Sequence, residues 1–134
     1  MREQPLSDSA SSATEWAECA PNVDAVARAH DLIRLRRFVV GTDWAECAPD
    51  RARRVDYIER HSWDDYALWH LGLTDGAGQE TLARYDFAYG DFTRVHRSAL
   101  VACAAQASRF HDRGIEQAAN DLIAVIDGLL GSAG

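Results

Sequence analysis

No lysine occurs in this 134-residue chain, and proline, cysteine and methionine are scarce, at three, three and one. The fourteen basic side chains are all arginine and face 21 acids, for a net charge of −7. No arginine run exceeds two residues, and the long-range field repels phosphate. Broad electrostatic capture of nucleic acid or of an anionic membrane is therefore disfavoured, and stacking of single-stranded RNA on aromatic side chains is a minor alternative. No apolar run approaches the roughly 18 residues needed to cross a bilayer. Few prolines with a hydrophobic fraction of 47% exclude an unfolded chain and predict one folded domain. Also missing are Cys-x-x-Cys, His-Glu-x-x-His, paired Glu-x-x-His, a P-loop and a dinucleotide fingerprint. No cofactor is expected. Cys19, Cys47 and Cys103 are an odd number at wide spacing, and residues 1–20 lack a leader pattern, so a reduced cytoplasmic setting is the default expectation.

Residues 1–13 are small and serine-rich, which predicts a flexible arm in front of a single helical domain over 14–134. Pro21 and Pro49 each suit a first helical position, and apolar residues behind them predict helices over 22–36 (Val23, Val26, Ala27, Ile33) and 50–60. Ser62 can cap a third helix that carries Tyr66, Trp69, His70 and Leu73 on one face and ends at Gly72. Thr74–Gly78 reads as a loop, and 79–84 as a short helix. The alternation of Tyr85, Phe87 and Tyr89 reads as extended chain, for which residues 38–40 are a conceivable pairing partner. Asp91 can cap a helix through Phe110, followed after Gly114 by a strongly amphipathic helix over 115–130. A short connection makes these two antiparallel neighbours. The expected fold is mainly α: a compact irregular bundle of four to five helices ending in an antiparallel helical hairpin, with room for a minor two-stranded element.

The most specific feature is a duplication. TEWAECAP at 14–21 returns as TDWAECAP at 42–49, the second position alone differing, Glu15 against Asp43. One reading is a repeated helix-start segment in which tryptophan covers the core and proline opens the helix. Another is a pair of docking peptides: Trp16 and Trp44 supply contact area, and flanking carboxylates select an arginine-bearing or otherwise basic partner. A third has Cys19 and Cys47 form a disulfide or bind a soft metal.

Two further constellations stand out. His61, Asp64, Asp65 and His70 bring together potential ligands or acid–base groups at helical spacing. The segment RYDFAYGDFTRVHR, 84–97, interleaves aromatics with charges and suits a partner groove, although a core edge explains it as well. A nucleophilic reading pairs Cys47 or Cys103 with a histidine, but Cys103 falls on an apolar stripe where a thiol behaves as a small hydrophobe.

These patterns predict an intracellular interaction or assembly module, docking a protein partner or itself through Trp16, Cys19, Trp44 and Cys47 or through Tyr85, Phe87 and Tyr89. The alternatives are a small enzyme or metal binder centred on His61, Asp64, Asp65 and His70, and a structural homo-oligomer.

Overall fold

A computed structural model describes residues 18–133. The predicted arm, 1–13, and Trp16 with the first four residues of the first repeat lie outside the described residues.

Chain order is β1 (Cys19–Pro21), α1 (Val23–Arg34), β2 (Phe38–Val39), α2 (Trp44–Cys47), α3 (Arg51–Arg60), α4 (Trp63–Ala67), β3 (His70–Thr74), a 3-10 turn (Leu82–Arg84), β4 (Tyr85–Ala88), β5 (Val95–His96), α5 (Arg97–Arg109) and α6 (Arg113–Ala133). The fold is mainly helical, with a tightly packed C-terminal helix pair as expected. It departs from a plain bundle of four to five helices by two small sheets and by two helices of only four and five residues. One sheet is antiparallel in the order β1-β3-β4, with Cys19 opposite Thr74 and Gly72 opposite Asp86. The other pairs β2 with β5 in parallel, so Phe38 meets Val95, and the partner of 38–40 is not the 85–89 segment.

The α5–α6 hairpin carries the core. Ile115, Ala119, Leu122 and Ile126 recur at spacings of four, three and four on α6 and are all buried. They meet Leu100, Cys103 and Ala107 of α5, while α1 adds Ala25, Ala29, Leu32 and Ile33. The buried face of α1 is thus rotated from the predicted one: Val23 and Ala27 are exposed, Ile33 stays buried, and Ala25 and Ala29 face inward, where small side chains permit close helix approach. Arg97 clasps Asp127 with two parallel hydrogen bonds of 2.8 and 2.9 Å, joining the start of α5 to α6.

Two predicted helices are shorter than expected. The third stops at Ala67, and His70–Gly72 becomes sheet instead of helix. Asn22 explains the break. Its backbone N–H donates to the Leu71 carbonyl, its side-chain Nδ2 donates to the carbonyls of Ala67 and His70, and its Oδ1 caps α1. The helix expected from Asp91 starts instead at Arg97, because Oδ1 of Asp91 accepts from the amides of Thr93 and Arg94 and closes a turn that leads into β5.

Among the residues described in both copies, 18–21 and 46–49, the repeats differ at the Glu-Cys pair, while Ala48 is extended as Ala20 is. Cys19-Ala20-Pro21 is an edge strand, whereas Trp44–Cys47 is a turn of helix. Asp43, the one substitution, caps the short helix by accepting from the Ala45 N–H, a role aspartate fills better than the glutamate of the first copy. After the repeat, Asn22 offers an amide to two carbonyls, while Asp50 in the equivalent place offers only a carboxylate and caps α3 through the Arg53 N–H. Neither proline opens a helix directly, since each is followed by the capping residue.

At the centre of the larger sheet, a Cβ on Gly72 would stand 2.7 Å from the Phe87 ring and 3.0 Å from Ile115. Phe87 itself sits at φ +64°, its N–H held by the Asp86 carboxylate, which turns its ring under β3. Gly72→Ala is expected to cost about 1–3 kcal/mol through overpacking. Urea unfolding measures it, and an unchanged midpoint would mean that helix and sheet do not press together at Gly72.

Candidate functional site

Tyr57, Trp63, Tyr66, Trp69, Tyr85, Tyr89 and Phe92 gather into one connected cluster around α4. Trp63 meets Tyr66 edge-on at 6.0 Å and lies nearly parallel to Tyr85 at 6.1 Å, while Tyr66 and Tyr85 meet edge-on at 5.6 Å. On the other side Tyr57 stacks between His61 at 4.1 Å and Phe92 at 4.3 Å, and Phe92 meets Trp69 edge-on. The Trp69 indole N–H donates to the Tyr57 hydroxyl at 3.2 Å. Tyr66 is fully buried between the two halves. Its hydroxyl and the Nε of Arg54 are buried and have no hydrogen-bond partner among the described residues. Burial pushes the Tyr66 hydroxyl pKa up, against the pull of the Arg54 guanidinium beside it. The partly exposed margins of this cluster are suited to contact with another protein.

Helix α4 separates two clefts of opposite character, with Asp65 and Leu68 bordering both. The first, about 480 Å³, is walled by Trp63 and Tyr85 and rimmed by Asp24, Asp64, Asp65 and Glu80. One arginine, Arg84, lines it and donates to the Thr74 carbonyl at 2.9 Å. Partial burial raises the Tyr85 hydroxyl pKa; Arg84 opposes this, and Asp64 and Glu80 add to it. The second, about 290 Å³, is lined by Arg28, Arg37 and His61 over Tyr57, Trp69 and Phe92. A larger cleft, about 850 Å³, lies elsewhere. Cys19, Glu18, Asp86, Asp112 and Phe87 line it, with Arg109 and His111.

The sequence-predicted residues scatter. Tyr85 is half-buried and lines the acidic cleft, but Phe87 and Tyr89 are core residues, 4% and 0% exposed, and the Tyr89 hydroxyl donates to the Leu68 carbonyl. Trp44 is half-buried against the His96 ring at 5.2 Å. Cys19, Cys47 and Cys103 are all free thiols, so no disulfide joins the repeats. Burial raises the Cys19 pKa, and Asp86, Asp112 and Asp75 add to it against a contact with the Thr74 hydroxyl; that is the wrong direction for a thiolate nucleophile or soft-metal ligand. Cys103 is buried, its thiol pKa driven far up by burial, and it donates to the Ala88 carbonyl.

The His61, Asp64, Asp65 and His70 grouping does not assemble. His61 and Asp65 approach to 3.9 Å at the surface, while His70 lies on β3, 2% exposed, with Nδ1 on the Tyr66 carbonyl at 2.9 Å. Among the described residues, no three histidine, cysteine, aspartate or glutamate side chains come together as a metal site.

A chain of polar contacts not foreseen from sequence runs through His96. Nε2 meets Asp91 Oδ2 at 2.8 Å, Nδ1 meets the Thr42 hydroxyl at 2.9 Å, and that hydroxyl meets Ser98 at 3.1 Å. Burial opposes ionisation of Asp91, yet His96 and the amides of Arg94 and Thr93 outweigh it and hold its carboxyl below the usual range. The order carboxylate, imidazole, hydroxyl is that of a hydrolytic relay, but His96 is 3% exposed and none of the three clefts is lined by Thr42, His96 or Ser98. The contacts tie the loop after β2 to the start of α5.

No protein-family pattern, curated protein or solved structure matches this chain. No helix among the described residues is long and apolar enough to cross a membrane.

His70 gives a test of this interior. Burial, with Arg54 acting in the same direction, lowers its pKa from 6.5 to about 4 despite the bond to Tyr66. The unfolded chain therefore protonates first on acidification. The stabilisation from neutral His70 is full above about pH 6.5 and is lost as the pH falls toward 4, on the order of 3 kcal/mol in total. Urea unfolding between pH 7.5 and 4.5 is expected to show this loss, and His70→Asn to flatten it. Equal slopes in the two proteins would remove His70 from the interior.

Proposed function

We propose that the protein is an interaction module whose acidic aromatic cleft takes an arginine-bearing segment of a protein partner. The observation that carries this is the meeting of Trp63 and Tyr85 with four carboxylates in one cleft, where a single arginine offers its charge to a backbone carbonyl. Aromatic faces attract a guanidinium through their quadrupole and cover its stem, and carboxylates at the rim accept its forked hydrogen bonds. The same rim slows acidic partners and speeds basic ones.

This keeps the docking role and basic partner expected from the sequence but moves the anchors. Trp63 takes the place of Trp44, Trp16 lies outside the described residues, and of the aromatic trio Tyr85 alone lines the cleft. Asp64 and Asp65, which the sequence also offers as ligands, serve here as rim charges in the first turn of α4, where they also suit the helix dipole.

The test is a calorimetric titration with a blocked peptide carrying two arginines, beside one carrying two glutamates. The arginine peptide is expected to bind and the glutamate peptide not to. Trp63→Ala should weaken binding about tenfold or more, as loss of a central anchor does. Asp64→Asn should weaken it a few-fold and reduce its salt dependence. Equal binding of both peptides, or a folded Trp63→Ala protein with unchanged affinity, would contradict the proposal.

A further inference from the structure

The cleft on the opposite side of Asp65 and Leu68 carries the reverse charge and does not share the arginine-peptide chemistry. We infer that it is a second binding site, for a small aromatic anion: one planar ring bearing a carboxylate or phosphate.

Arg28 and Arg37 set the charge of this cleft. They come from different elements, α1 and the chain just before β2, and both line this cleft. Among the described residues neither pairs with a carboxylate within 4.0 Å; the ion pairs there are Arg60–Asp56, His61–Asp65, His96–Asp91 and Arg97–Asp127. Asp65, the one acid in the lining, lies 3.9 Å from His61. The cleft therefore has an excess of guanidinium, the group whose planar fork matches a carboxylate or phosphate.

Between and below the arginines the surface is aromatic. Phe92 and Tyr57 stack at 4.3 Å with 12° between their planes, and Trp69 closes the floor with its indole N–H on the Tyr57 hydroxyl. Phe92 holds this position with φ at +73°, in the left-handed region that a phenylalanine rarely occupies. The Asp91 side chain bonded to the Thr93 and Arg94 amides fixes the turn that imposes it. Strained backbone of this kind is concentrated at ligand clamps. A volume of about 290 Å³ lies at the small end of ligand pockets, enough for one ring and its charged group and too little for a dinucleotide.

The experiment is a two-dimensional NMR titration of the full chain with benzoate and with phenyl phosphate, following the Trp69 indole N–H. Phenol and inorganic phosphate serve as the ring-only and charge-only controls. A saturable shift of the Trp69 signal with either aromatic anion is expected, and neither control should match it. Arg28→Gln and Arg37→Gln, at exposed positions where folding is checked by circular dichroism, should each weaken binding about tenfold, as loss of a charged hydrogen bond does. No saturable shift in the wild type, equal binding of phenol, or unchanged affinity in both folded variants would overturn the site. Trp63→Ala, which removes the peptide anchor, should leave these shifts intact, so this site and the peptide cleft fail separately.

Discussion

One buried amide organises the region where the clefts lie. Asn22 is 7% exposed and bonds in three directions: through its backbone to β3, through its side-chain N–H groups to the carbonyls of Ala67 and His70, and through its oxygen to the first turn of α1. Carbonyls at the end of a helix have no partner within it and must find one elsewhere. By supplying one across 45 positions, Asn22 fixes where α4 ends and β3 begins. That boundary sets α4 as the wall between the acidic and basic clefts and places His70 inside.

The long elements were legible because their signal is local and repeated. Ile115, Ala119, Leu122 and Ile126 keep a helical spacing over several turns, and no short-range competitor interrupts them. The strand at His70–Thr74 was hidden for the opposite reason. Tyr66, Trp69, His70 and Leu73 satisfy helical spacing as well as any helix does, and the group that overrules it lies far away in sequence. Asp91 illustrates the same ambiguity: an aspartate before an amphipathic run signals a helix cap, yet here the two amides it accepts belong to a turn.

The duplication shows how little a local sequence commits. Two copies of Trp-Ala-Glu-Cys-Ala-Pro are equally good candidates for a shared structure, but among the residues described in both, Cys19 is strand and Cys47 helix, while Ala48 is extended as Ala20 is. Asp43 and the Asn22/Asp50 pair were visible as letters, whereas the partners that give them meaning were not. The clefts were less legible still. Arg28, Tyr57 and Phe92 belong to three distant segments, and only the aromatic richness around Tyr66 hinted that rings would meet. Trp63 carries no signal of its own in the sequence, because its neighbours, Ser62 and Asp65, have a local explanation in helix capping.

The central claim is that the Asn22 amide, and not the repeat preceding it, selects strand and helix boundaries. Equilibrium urea unfolding at pH 7 of Asn22→Asp beside Asp50→Asn tests it most directly. A carboxylate at 22 can still cap α1 but faces two carbonyls, so a loss of about 2–4 kcal/mol is predicted for Asn22→Asp, with part regained on acidification, and about 0.5 kcal/mol or less for the exposed Asp50→Asn. An Asn22→Asp protein as stable as the wild type would contradict the account.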